Sequence, residues 1–65
     1  MRLQTKADYA MLWMILTEAE ARVEACAKDL PDVALRSSET VALCEERMEI
    51  EGLTRKSLKK LAGAR

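Results

Sequence analysis

The sequence predicts an all-α protein: an antiparallel helical hairpin plus a short third helix, assembling as a homodimeric helical bundle. Three observations carry this prediction. Ala, Leu, Glu, Met, Lys and Arg dominate the 65 residues, and these are strong helix formers, while Phe and His are absent. Apolar residues recur at spacings of three and four over long stretches. The single proline, Pro31, and the first glycine, Gly52, fall between those stretches. Half the residues are hydrophobic and a third are charged, a globular composition in a chain long enough for one small domain.

The first helix is predicted over about 5–29. Thr5 can act as N-cap, with Asp8 three residues on completing a capping box. Tyr9, Leu12, Leu16, Ala19, Val23, Cys26 and Leu30 form a continuous seam. The pairs Glu18–Arg22 and Glu24–Lys28 place acid before base at four-residue spacing and support the helix modestly. Leu30-Pro31-Asp32 then breaks the pattern, because a residue before proline resists the helical region. The short connection predicts an antiparallel return.

The second helix is predicted over about 33–51, with Asp32 as its cap or with a later start at Ser37 or Ser38. Its seam is Ala34, Ser37, Val41, Cys44 and Met48. Leu43 and Ile50, seven apart, form a second apolar line outside that seam. Gly52 suits the left-handed backbone of a C-terminal cap. Thr54 caps a third helix over about 55–62, with Leu58, Leu61 and Ala62 inward. Residues 63–65 are expected to fray.

With a turn near Pro31, facing residues should have numbers summing to about 62. Cys26 then faces Ser37, and Cys44 faces Ala19 or Glu18. The sulfurs lie about 10 Å apart along the axis, beyond the ~7 Å that α-carbons of a disulfide allow. Both cysteines are therefore read as small buried hydrophobes in a reducing, cytoplasmic setting. Two thiolates without histidine do not close a zinc site, so neither metal nor cofactor is expected.

The run Tyr9-Ala10-Met11-Leu12-Trp13-Met14-Ile15-Leu16 is too short to span a bilayer, and the acids around it argue against a secretory signal. No membrane partner is expected. Eight consecutive apolar residues circle a helix more than twice, so one neighbouring helix cannot cover them. Tyr9, Met11, Trp13, Met14 and Ile50 are the candidate dimer or partner interface.

Formal net charge is zero, with eleven bases and eleven acids. Residues 8–51 carry all eleven acids and four bases, a net of minus seven, whereas residues 52–65 carry five bases and no acid. Arg2, Lys6, Arg55, Lys56, Lys59 and Lys60 form a candidate basic end for nucleic acid or an acidic protein surface. Lys59 and Lys60 also suit the C-terminal dipole of the third helix, while Arg55 and Lys56 stand at the end where cations are unfavourable.

The stretch from Glu51 to Leu61, with its turn glycine, hydroxyl cap and inward Leu58 and Leu61, resembles the turn and recognition helix of a helix-turn-helix unit. That resemblance implies DNA contact by Arg55 and Ser57. Met48 and Glu51 replace the small and apolar residues of that pattern, so the chain is not assigned to the family. No histidine, phosphate loop or paired-cysteine motif supports catalysis, and no small-molecule substrate is expected. The sequence therefore points to a non-enzymatic interaction module that dimerises and binds a protein partner to regulate, inhibit or recruit it. The alternative is a nucleic-acid-binding regulator using the basic end.

Overall fold

The computed structural model describes residues 3–64 as three helices, α1 (Lys6–Cys26), α2 (Pro31–Ile50) and α3 (Arg55–Ala62), with no strand among the described residues. The predicted capping box starts α1. The Thr5 hydroxyl accepts from the Asp8 N–H at 3.2 Å. In return the Asp8 carboxylate accepts from the N–H groups of Gln4 and Thr5, both at 3.1 Å. These backbone donors hold the Asp8 carboxyl below the usual carboxylate range.

The connection between α1 and α2 sits earlier than predicted. The last helical residue of α1 is Cys26, not Asp29, and the Leu30 N–H closes the turn onto the Cys26 carbonyl at 3.0 Å. Neither Asp32 nor Ser37 nor Ser38 caps α2. Leu30 occupies the N-cap position without a side-chain hydrogen bond, and Pro31 opens the helix. Proline needs no donor there, and its ring presets the helical φ. The turn is therefore centred near residue 28, so the pairing of the helices is offset from the predicted register. Ser37 shares a groove with Ala19 and Arg22, and Cys44 clusters with Leu12 and Leu16. Cys26 is ten residues beyond Leu16, or about 15 Å along the axis. Both cysteines are free thiols.

Gly52 ends α2 as predicted. Its φ is +70°, a left-handed conformation that L side chains rarely adopt. The Leu53 N–H donates to the Met48 carbonyl at 2.7 Å, and the Gly52 N–H to the Glu49 carbonyl at 3.1 Å. This is the double bond pattern of a Schellman cap, and it brings Leu53 back onto the core beside Met48. Thr54 caps α3 in a second box: its hydroxyl accepts from the Ser57 N–H at 3.1 Å, and the Ser57 hydroxyl accepts from the Thr54 N–H at 2.8 Å. The terminal residues are tied rather than frayed through Ala64. Gly63 is also left-handed, and the N–H groups of Gly63 and Ala64 donate to the Lys60 and Lys59 carbonyls.

The core gathers Leu3, Leu12, Leu16, Cys44, Met48 and Leu58, with Leu16 and Leu58 fully enclosed. Tyr9, Trp13, Val41 and Leu53 pack around it. The predicted seams face this core, but only in part. Val23 and Cys26 are half-buried, and Leu30 is exposed. Leu61, expected inward on α3, is also exposed, whereas Leu58 and Ala62 are buried as expected. Cys44 is buried, and burial first, then the nearby Glu20 and Glu45 charges, pushes its thiol up from the ordinary value.

Candidate functional site

Helix α1 is the axis on which both other helices pack. One side meets α2, and another meets α3. Helix α3 leads from Arg55, beside Glu20 and Glu45, to Gly63, where the Lys6 side chain lies, so it runs counter to α1. Two neighbours cover two sectors of the apolar run and leave a third open.

That open sector separates the five predicted interface residues. Tyr9 and Trp13 are half-buried and pack against the core. Met11 is 49% exposed and Met14 51% exposed, with Ile15 beside them at 39%. Ile50 is exposed on α2 and is not part of the core cluster that Tyr9 and Trp13 pack against. Ile15 was not among the expected interface residues, although its place in the run was the available signal. It lines an α1–α2 groove of about 390 Å³ together with Ala19, Val33, Ser37, Arg22 and Arg36. The groove thus combines apolar Ile15, Ala19 and Val33 with the cations of Arg22 and Arg36 and the carboxylate of Glu18.

The basic residues divide as well. Arg2 lies outside the described residues. The Arg55 guanidinium is occupied within the chain: it donates to Glu20 at 2.8 Å, and Glu45 stands 3.9 Å away. The hydrogen bond to Glu20 holds the Arg55 proton more tightly than usual. The unfavourable place of a cation at a helix N-terminus was the signal that this arginine needs a carboxylate partner. Sequence spacing could not identify Glu20, which is 35 residues away. Lys6, Lys56, Lys59 and Lys60 are exposed and form no ion pair among the described residues.

The recognition-helix resemblance meets two structural facts. Ser57 is engaged in the cap, and α3 packs mainly on α1 rather than on the helix that precedes it. Among the described residues no three His, Cys, Asp or Glu side chains are grouped to hold a metal. No described helix is long and apolar enough to cross a membrane. No protein-family model, curated protein or solved structure matches this chain.

Proposed function

We propose that this protein is a non-enzymatic helical interaction module that self-associates and binds a protein partner, which it regulates, inhibits or recruits. The observation that carries this reading is the exposure of Met11, Met14 and Ile15 after both neighbouring helices have packed. Large apolar side chains grouped at a surface mark interaction sites, and methionine adapts its shape to a partner. Fully burying one such side chain contributes roughly 1.5–3 kcal/mol. The test is affinity capture from the native host by the full chain and by Met11→Glu/Met14→Glu. The substitutions should abolish capture of a specific protein while circular dichroism retains the helical signal. Equal capture by both proteins would defeat the reading.

A nucleic-acid-binding regulator is the second reading, supported by the exposed Lys6, Lys56, Lys59 and Lys60. Such binding should weaken steeply with salt and with Lys56→Glu/Lys60→Glu. No retention of random duplex at low salt would remove it.

A further inference from the structure

We infer that the outer face of α2 pairs antiparallel with the same face of a second copy, about a two-fold axis at Leu43. This inference rests on the self-association proposed above and assigns it a surface. Leu43 is 66% exposed and Ile50 69% exposed, more than any other large apolar side chain among the described residues. Neither is used by the core or by the exposed run of α1.

The stripe that holds them is symmetric in spacing. Counting from Leu43, positions minus seven, minus four, plus four and plus seven are Arg36, Glu39, Arg47 and Ile50. Residues at these intervals share one side of a helix. In an antiparallel pair centred on Leu43, each position meets the one of opposite sign. Leu43 meets Leu43, and Glu39 meets Arg47 twice, once on each side of the axis. The methylene stem of Arg36 lies over Ile50, and its guanidinium reaches the neighbouring Glu49. A two-fold interface requires one patch to complement itself, and this stripe does so in both charge and apolar character.

The placement of the arginines strengthens the argument. Helix α2 carries five acids and only two bases, and both bases stand on the stripe. Elsewhere its outer surface is acidic and would repel another copy. Arg47 already pairs with Glu51 at 3.3 Å, but both side chains remain about one-third exposed. Such a solvated pair is weak and can share its cation with a second carboxylate. Arg36 also lines the groove with Ile15, so the stripe borders the Met11–Met14 surface without covering it.

Sedimentation equilibrium of the full chain, from micromolar to ~1 mM, tests the assignment. The unaltered protein should dimerise. Leu43→Lys should weaken the dimer about tenfold or more, since it places two like charges on the axis. Arg47→Glu should weaken it as well, and Glu39→Arg combined with Arg47→Glu should restore it by reversing both pairs. Leu30→Lys is the control: Leu30 is also exposed, at the N-cap of α2, but stands off the stripe, and its dimer should be unchanged. A dimer indifferent to Leu43→Lys would overturn this face and leave self-association standing. A 7.3 kDa species throughout would overturn self-association and this face together. Partner capture through Met11 and Met14 is a separate readout from both results.

Discussion

The two ends of the hairpin are built from similar helix but are held very differently. At the end where α1 begins and α2 finishes, α3 adds a third wall, and Leu12, Leu16, Met48 and Leu58 are enclosed. At the connecting end, residues 21–36 belong to two helices and their turn, and none of them is fully buried. That end carries Ala21, Ala25, Ala27 and Ala34, while Leu30, Val33 and Leu35 remain at the surface. Two helices touch along a line, whereas a third converts the line into a volume. Burial in this protein thus follows the position of α3 more closely than it follows hydrophobicity.

The largest effect should come from deleting core volume. Leu16→Ala or Leu58→Ala should cost about 2–5 kcal/mol, whereas Leu30→Ala at the open end should stay within about 0.5 kcal/mol. Urea denaturation of the three variants reads this directly, and equal losses would erase the contrast. Next is the link between α2 and α3. Gly52→Ala forces a left-handed backbone on a residue with a Cβ and should cost about 1–2 kcal/mol, although no neighbour obstructs the added carbon.

Arg55 ties α3 to both other helices but is nearly half exposed. Arg55→Met should therefore cost only about 0.2–1 kcal/mol, most of it lost already at high salt. A cost of several kcal/mol would mean that this ion pair, and not Leu58, seats the third helix.

Two titration effects complete the series. The raised Cys44 thiol favours the protonated form in the folded state. Stability should therefore be unaffected below the ordinary value of 9.0 and decline as pH rises through it. Cys44→Ala should flatten that alkaline decline. A thiol reagent should label half-buried Cys26 well before enclosed Cys44. The lowered Asp8 carboxyl acts in the opposite sense. Its contribution is present above the ordinary value of 3.8 and is lost as pH falls through its lower folded value. Asp8→Asn should reduce this small acid dependence.

Helix identity, both capping boxes' hydroxyl residues and the Gly52 turn were legible in the sequence because each is decided within a few residues. The boundaries around Leu30 were less so, since Pro31 competes as a start with the side-chain caps of Asp32, Ser37 and Ser38. That local choice shifted the register of the whole hairpin, moving Cys44 from the level of Ala19 to that of Leu12 and Leu16. The interface candidates were legible as a group but not individually. Tyr9 and Trp13 point toward covered sectors, and Met11, Met14 and Ile15 toward the open one.

By itself, then, the sequence determined three helices, their order, the caps of α1 and α3 and an excess of apolar side chain on α1. These follow from hydrogen bonding and periodicity over one or two turns. Only the tertiary structure decided which apolar residues stay wet, and which carboxylates claim Arg55. Those outcomes depend on where an eight-residue helix settles against residues that are dozens of positions away.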